Sequence, residues 1–396
     1  MLYWKHAPRH RSLLAISSLL LVVVACRGEE DPTLRDQEST GSDVPFAVLE
    51  PDAEYPEPFS YLSGVRELSG QRLLAADPLG QVLLRLNLET GTADTLGRRG
   101  GGPQEYEGPD QVFSLPGDST LLVDLGNARL TVISPELEFV DWTPMVRPRE
   151  DGSARTIFPR FVDENGFLYA TASSSMEGIP PDSTGITRIH RGTGRESFVA
   201  WAWHPERPSF DPSAKRPILQ PMDDWAAAPD GSIAVVRSNG FSVDWYRPDG
   251  QLVRGPTQDV EVYRVGDGER KAEMEEITRS AMFTSVVVGD AGERSRQMSR
   301  GLPPGGGPGP DNFQWPETLP VFRPNGTVVS PSGEVWVQRI MPAGALPRYE
   351  VFGSTGIHLG FVQLPVGARI IGFGSRPETP SSSAESPRSP WGGGER

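Results

Sequence analysis

One phrase recurs along this chain: a turn glycine, a short apolar strand, a loop, a second strand, a hairpin turn and a third strand. The glycines that open these units are Gly70, Gly117, Gly166, Gly231 and Gly333. Successive glycines lie 47, 49, 65 and 102 residues apart, which indicates insertions in the two longer gaps. Four-stranded units of about 40 to 50 residues are typical of β-propeller blades. The repeat therefore predicts an all-β fold, a β-propeller, over residues 46–374.

The composition agrees with many short strands joined by tight turns. The 396 residues include 44 Gly and 39 Pro, a content that argues against a helical bundle. Hairpin turns that end in glycine follow the repeats, as in residues 191–194 and 353–356. A β-sandwich would show strands every 8 to 12 residues without the superimposed longer period. The propeller is therefore the preferred fold.

Five repeats are complete in the sequence, and a sixth only begins. The complete repeats cover residues 59–97, 108–144, 156–203, 219–256 and 317–365. The sixth starts at 367–373, and the Ser, Pro and Gly-rich tail 375–396 cannot build its remaining strands. An N-terminal strand at 46–49 is expected to pair with the last blade. Either the C-terminus is truncated or out of frame, or a partner or a second copy completes the open blade, because exposed strand edges pair readily.

The longest gap contains an insertion at residues 257–316. Residues 266–283 predict a helix capped by Asp267, with Met274 and Ile277 on one face. The Gly- and Pro-rich segment 301–310 lacks the lysine and the following helix of a phosphate-binding loop, so a mobile surface loop is expected. The insertion either carries a partner site or is a length variation without a role.

The N-terminus has the pattern of a targeting signal. Residues 1–12 carry three basic side chains and no acid, and residues 13–25 form an apolar run too short for a membrane-spanning helix. The run ends at the only cysteine, Cys26, and Val23–Cys26 resembles the bacterial lipobox. This resemblance implies a signal peptide over residues 1–25, cleavage before Cys26 and lipidation of its thiol. The alternative is a signal anchor with an incidental cysteine.

The residues after the cysteine predict a flexible tether and an envelope location. Segment 26–45 is rich in acids and poor in large apolar side chains, so it cannot offset the entropy of ordering. The formal net charge of −14 argues against a nucleic-acid partner. Arg27 follows the cysteine, which by analogy with enterobacterial sorting favours the outer membrane, facing the periplasm or the exterior.

Residues 97–106, Gly-Arg-Arg-Gly-Gly-Gly-Pro-Gln-Glu-Tyr, resemble the Gly-Arg-x-Gly-x-Gly-Pro-Gly-Glu-Phe phrase of a bacterial family of six-bladed β-propellers with NHL-like repeats. Residues 122–130 resemble that family's strand, aspartate and Asn-x-Arg turn, and 315–337 resemble its late blade. Gln104 replaces a glycine of the phrase, and Tyr106 replaces its phenylalanine. The resemblance covers about residues 55–373. It implies six blades, the last incomplete here, and a lipoprotein.

The same phrases supply the candidate ligand-binding residues, which are Arg98, Arg99, Glu105, Asp124, Asn127 and Arg129. Two roles are open for them. The aspartate and the asparagine can bond backbone amides in a turn, and the charged pair can join two blades. Alternatively, these side chains present charge to a ligand at the rim of the central channel.

The sequence shows no catalytic or metal-binding motif. After the signal, only His190, His204 and His358 remain, without metal-ligand spacing, and no G-x-S-x-G elbow is present. Trp201 and Trp203 share one strand face and are expected to pack between blades. We therefore predict a binding or scaffold module for a protein, peptide or glycan, without a cofactor. The alternative is a propeller enzyme, a lactonase-like hydrolase or a lyase, that uses channel carboxylates and a divalent metal.

Overall fold

The computed structural model describes residues 2–5, 14–16, 47–48, 53–69, 72–148, 152–172, 182–205, 214–288, 294–302 and 307–374. Cys26, the tether 26–45 and the tail 375–396 lie outside the described residues. Gly70 lies outside them too. No helix among the described residues is long and apolar enough to span a membrane.

The described chain begins with three short strands and continues with the first two blades. Three strands come first: Leu2–Lys5 (β1), Leu14–Ile16 (β2) and Ala47–Val48 (β3). Blade 1 consists of Gly64–Leu68 (β4), Arg72–Asp77 (β5), Val82–Asn87 (β6) and Thr92–Thr95 (β7). The connection to blade 2 contains Arg98–Arg99 (β8) and Glu105–Tyr106 (β9). Blade 2 consists of Pro109–Ser114 (β10), Thr120–Asp124 (β11), Arg129–Ile133 (β12) and Phe139–Pro144 (β13).

Blades 3 and 4 repeat the same antiparallel arrangement. A hairpin of Val146–Pro148 (β14) and Ala154–Thr156 (β15) leads into blade 3. Blade 3 consists of Phe161–Val162 (β16), Phe167–Thr171 (β17), Ser183–His190 (β18) and Glu196–Trp203 (β19). Arg216–Pro217 (β20) precedes blade 4, which consists of Asp224–Ala227 (β21), Ile233–Arg237 (β22), Ser242–Tyr246 (β23) and Leu252–Arg254 (β24).

The insertion and the last blade complete the described chain. The insertion holds the helix Asp267–Ser280 (α1) and the strands Met282–Val288 (β25), Arg294–Arg300 (β26) and Phe313–Gln314 (β27). Blade 5 consists of Phe322–Val329 (β28), Val335–Arg339 (β29), Arg348–Phe352 (β30) and His358–Gln363 (β31), and Ala368–Gly372 (β32) follows it. Short 3-10 turns lie at Pro116–Asp118 and Pro310–Asn312.

The blades stand around a central channel, with the first strand of each blade innermost. Going round the ring, β4, β10, β16, β21 and β28 contact one another in sequence, and β32 contacts both β28 and β4. The described residues therefore form an all-β propeller of five four-stranded blades. The prediction of six blades is wrong in number, because the sixth position of the ring holds only β32 with β1 paired to it and β2 paired to β1.

The repeat glycines mark the turns that they were predicted to mark. Gly117, Gly166, Gly231 and Gly333 lie between the first and second strands of their blades, and all have a positive φ, between 72° and 89°. Side chains other than glycine are strained in this region. The regular spacing of these glycines along the sequence therefore reports the spacing of the turns, which is why it predicts the blade boundaries.

Apolar layers between adjacent blades form the core. The second strands run almost without interruption as buried residues, as in Thr120–Asp124 and Ile233–Val236, because both of their faces are covered. Contacts between blades pair Leu83 with Val112, Leu168 with Val123, Trp225 with Ala200, and Trp245 with Phe352. Ile370 of β32 packs with Trp336 of blade 5, and Ile371 packs against blade 1. The single strand β32 thus joins the last blade to the first.

The strand at 46–49 was expected to pair with the incomplete sixth blade, but it pairs instead with blade 5, the last complete one. Ala47 and Val48 of β3 lie parallel to Val362 and Gln363 of β31, the outermost strand of blade 5. β3 therefore adds a fifth strand to blade 5 and covers its edge.

The insertion contains the predicted helix with a different cap. Asp267 is the first residue of α1, and Gly266 is the N-cap in an extended conformation, so the predicted cap is wrong by one residue. The carboxylate of Glu269 accepts the Gly266 N–H at 3.0 Å and the Ala343 N–H at 3.2 Å. Glu273 binds Arg323 at 2.8 Å. Because the helix buries no residue, these polar contacts are what fasten it to blade 5.

Candidate functional site

The six predicted ligand-binding residues lie together at the connection between blades 1 and 2. The connecting loop, residues 97–108, folds back on itself so that β8 and β9 pair in parallel. Nε of Arg98 lies 2.8 Å from Oε1 of Glu105, and Nη2 of Arg99 lies 2.7 Å from Oε1 of Glu107. The pKa of Glu105 lies below its usual value, mainly because its carboxylate accepts a hydrogen bond from the Gly102 N–H and, second, because it accepts one from Arg98. The two arginine side chains remain 78% and 52% exposed.

Asp124 is completely buried beneath this loop. Its Oδ1 accepts the N–H groups of Glu107 at 3.1 Å and Gly108 at 3.0 Å. Its Oδ2 accepts Nδ2 of Asn127 at 2.7 Å and Nε of Arg129 at 3.2 Å. With two strong bonds on each oxygen, this carboxylate is occupied in holding the entry into blade 2.

Asn127 and Arg129 fix the glycine-rich part of the loop. Nδ2 of Asn127 donates to the carbonyl of Gly100 at 2.9 Å, and Nη2 of Arg129 donates to the carbonyl of Glu105 at 2.5 Å. Asn127 and Arg129 with Asp124 therefore form the support of the loop, while Arg98 and Arg99 stand on its exposed side. A ligand at the predicted site would contact the exposed guanidinium groups of Arg98 and Arg99.

Exposed apolar side chains continue from this loop along the outer edge of blade 2. We call them the apolar stripe; its members are Val140, Trp142, Pro144, Val146 and Phe158. Trp142 is 57% exposed, and Phe158 is 59% exposed. Trp142 and Pro144 alternate with other residues of β13 and so share one face of that strand, and Val146 follows at the start of β14. Exposed aromatic residues grouped in this way mark interaction surfaces, whereas single ones do not.

The strand register places the apolar stripe beside the predicted site. Trp142 lies opposite Thr131, and Pro144 lies opposite Arg129, the residue that supports the loop. Ile157 donates its N–H to the carbonyl of Met145, which sets Phe158 next to the same edge. The period-2 alternation of 142, 144 and 146 was the available sequence signal. It did not reveal exposure, because an outer strand that faces a neighbouring blade shows the same alternation.

The two tryptophans of blade 3 do not pack between blades, and that expectation is wrong. Ala200 and Ala202 face Trp225 of blade 4, so the alternate residues Trp201 and Trp203 point to the other side. Trp203 is 39% exposed, and the ring of Trp201 contacts that of Phe198 in a tilted arrangement, with the ring centroids 4.5 Å apart. The small alanines occupy the interface because the outermost strand there lies close to blade 4.

The central channel opens into a cavity of about 930 Å³ where the inner strands end. Its charged lining includes Arg66, Glu67, Asp118, Asp163 and Glu164. Two of the acids are engaged within the ring. Arg66 binds Asp118, and Asp163 accepts the Phe167 N–H at 2.9 Å and the Tyr169 hydroxyl at 2.9 Å. Among the described residues, no group of three His, Cys, Asp or Glu side chains is placed to hold a metal ion.

No family model matches the sequence, and no curated protein matches it. Solved structures match with low identity. A gluconolactonase from Xanthomonas campestris is 14% identical with a TM-score of 0.33, and the match covers 79% of this chain and 80% of that one. Regucalcin, a calcium-binding protein from Agrobacterium tumefaciens, is 9% identical with a TM-score of 0.30, covering 78% and 77%. A virginiamycin B lyase from Staphylococcus aureus is 10% identical with a TM-score of 0.31, covering 76% and 83%.

Proposed function

We propose that this protein is a lipid-anchored binding module of the bacterial cell envelope, and that the apolar stripe docks a protein or peptide partner. The observation that carries this proposal is the exposure of Trp142 and Phe158 beside the charged loop. Energetically important contacts in protein interfaces concentrate in aromatic and arginine side chains. An apolar centre with Arg98 and Arg99 at its edge has the anatomy of such an interface.

The anchor is the second part of the proposal. Cleavage before Cys26 and lipidation of its thiol would fasten the propeller to a membrane, which we propose is the outer membrane, as a lipoprotein with NHL-like repeats. The tether of residues 26–45 would keep the ring about 25 Å from the lipid, the mean reach of a flexible chain of that length. Cleavage would also remove β1 and β2 and leave the edge of β32 open, which supports self-association there.

Replacement of the cysteine tests the anchor. Cys26→Ser removes the only lipid acceptor, so we expect the variant to leave the membrane fraction and lose incorporation of a labelled fatty acid. A Ser17→Ala change in the apolar run is the matched control and should leave both unchanged. Retention of the Cys26→Ser protein in the membrane, without label, would instead support a signal anchor.

A pair of matched double variants tests the docking surface. Trp142→Ser with Phe158→Ser removes the aromatic part of the apolar stripe, and we expect loss of the partner complex on a native gel of gently solubilised envelope. Ile357→Ser with Leu359→Ser is the control, because these blade 5 residues are 54% and 52% exposed. Since all four side chains are exposed, the variants should keep the stability of the parent within about 0.5 kcal/mol. Equal effects of the two pairs would contradict the proposal.

The runner-up is a propeller enzyme, and the cavity at the end of the channel favours it. An enzyme of this kind would retain a metabolite or an ion in the channel. A native mass spectrum of the purified protein separates the two proposals, because a stoichiometric adduct supports the enzyme and a bare mass supports the binding module.

A further inference from the structure

The outer hairpin of blade 3 concentrates positive charge on a protein whose formal net charge is −14. Arg188, His190, Arg191 and Arg195 follow one another around the turn between β18 and β19. Arg147 reaches the same turn from the connection before blade 3, since its Nη2 donates to the carbonyl of Arg191 at 3.0 Å. We call these five residues the basic hairpin.

No carboxylate among the described residues neutralises the arginines of the basic hairpin, since none of these four arginines forms an ion pair there. Elsewhere in the ring the buried arginines bind acids, as Arg129 binds Asp124 and Arg155 binds Glu196. A surplus of positive charge at one place, on a chain with an excess of acids, suggests an anionic ligand from outside the chain.

A concave site accompanies the charge. A cavity of about 540 Å³ is lined by Phe167, Arg188, His190, Thr193, Arg195, Glu196 and Ser197. Its one acid, Glu196, is bound to Arg155. The lining therefore offers guanidinium and hydroxyl groups around one aromatic ring, and its charge is positive.

The donors of this cavity are held in place before any ligand arrives. The guanidinium of Arg188 lies over the Phe167 ring at 4.3 Å from its centroid. The ring of His190 stands edge-on to Phe167 at 5.6 Å, and its Nδ1 accepts the Thr193 N–H at 3.1 Å. A neutral imidazole with an accepting Nδ1 carries its proton on Nε2, so that nitrogen is a donor. Prior ordering of donors lowers the entropic cost of binding.

We propose that this cavity binds the phosphate groups of a ligand with two or more negative charges. A single carboxylate brings one charge to a site with two guanidinium groups, those of Arg188 and Arg195, that bind no carboxylate among the described residues. A phosphate brings up to two charges and three acceptor oxygens, and it matches the planar fork of arginine. The cavity is larger than one phosphate, so a diphosphate and part of the attached group fit within it. This site lies on blade 3 and does not depend on the apolar stripe of blade 2.

Calorimetric titration with inorganic pyrophosphate at low ionic strength tests the proposal on the full chain carrying Cys26→Ser. We expect saturable binding to the parent and at least a tenfold loss of affinity in Arg188→Gln with Arg195→Gln. The control is Arg72→Gln with Arg85→Gln, which removes the same charge from blade 1 and should change affinity less than twofold. Circular dichroism melts establish that each protein is folded. An equal loss of affinity in the control would overturn the proposal.

Sedimentation with vesicles identifies the source of the phosphate. Binding to vesicles that contain cardiolipin, whose headgroup carries two phosphates, but not to phosphatidylcholine vesicles, supports a lipid headgroup if it is lost in the Arg188→Gln, Arg195→Gln variant. Binding of pyrophosphate without binding of vesicles supports a soluble phosphorylated ligand. Failure of both probes with the folded parent overturns the site. Trp142→Ser should leave pyrophosphate affinity unchanged, so this test and that of the docking surface can fail independently.

Discussion

Gln104 has a backbone conformation that favours glycine, with φ at 57°. Gln104 stands where the similar sequence phrase of the propeller family has glycine. The positive φ explains why a glycine suits this position. The neighbouring Gly97 also has a positive φ, at 69°, and a Cβ there would lie 2.9 Å from the carbonyl of Gln104. The loop that carries Arg98 and Arg99 therefore contains one strained residue among its glycines.

Replacing Gln104 with glycine should relieve this strain. We expect Gln104→Gly to raise the free energy of unfolding by up to about 1 kcal/mol, because the gain in backbone conformation exceeds the entropy that glycine adds to the unfolded chain. Chemical denaturation measures the change. Gly97→Ala is the reciprocal control and should lower stability; if both substitutions acted in the same direction, the account of this loop would be wrong.

Asp124 and Arg98 separate the supporting residues of the loop from its exposed ones. Asp124→Ala leaves Arg129 buried without its acid, and we expect a loss of about 3 to 5 kcal/mol in unfolding free energy. Arg98→Ala should cost less than about 1 kcal/mol, because the side chain is 78% exposed. Denaturation curves measure both. A stable Asp124→Ala protein that loses binding would return Asp124 to the role of a ligand contact.

At the scale of strands, the turn glycines allowed the blades to be predicted from the sequence. The apolar stripe and the basic hairpin could not be predicted in the same way. The observed blades fall within the five predicted repeats because the four repeat glycines that the structure describes each mark a turn between the first two strands of a blade. The apolar stripe and the exposed Trp203 were missed, because alternation along an outer strand is the same whether the face is covered or open. The basic residues from Arg188 to Arg195 can be read from the sequence. That they have no carboxylate partner among the described residues depends on the tertiary structure.

Blade 5 shows how one acid joins three strands. Glu350 of β30 is buried, and it binds Arg339 of β29 at 3.2 Å, Arg348 at 2.7 Å and His358 of β31 at 2.8 Å. Burial opposes the ionisation of Glu350, but the bond from His358 and the charges of Arg348 and Arg339 outweigh it and lower its pKa. Because the pKa in the folded state is depressed, this stabilisation is present above the usual value of 4.5 and is lost as the pH falls through the folded value.

Glu350→Gln should therefore change stability in a way that depends on pH. At neutral pH we expect a loss of about 3 to 5 kcal/mol, because Arg339 stays buried without its acid. As the pH falls below 4.5 the difference from the parent should shrink, since Glu350 of the parent becomes protonated as well. Denaturation at several pH values measures this. Glu89→Gln, at an exposed hairpin residue, is the control, and a pH-independent difference in Glu350→Gln would contradict the assignment.

At the scale of the whole molecule, the ring formed by the described residues has six inner strands and five complete blades. The sequence predicts the strand at 367–373, and Ala368–Gly372 occupies the sixth position as expected. The five complete repeats of the sequence correspond to the five blades, whereas the family resemblance implied a sixth blade, and among the described residues only β1 and β2 extend β32. Whether the outer surface binds a partner could not be predicted from the sequence, because exposure depends on how neighbouring blades cover each strand.

The central claim is that the apolar stripe docks a partner in the cell envelope. Site-specific photo-crosslinking in living cells tests it most directly, with a photoreactive amino acid in place of Trp142 or, as the matched control, of Leu359 on blade 5, which is 52% exposed. We predict one discrete crosslinked species from position 142, suppressed by Phe158→Ser in the same chain, and none from position 359. No species from position 142, or the same species from both positions, would contradict the account.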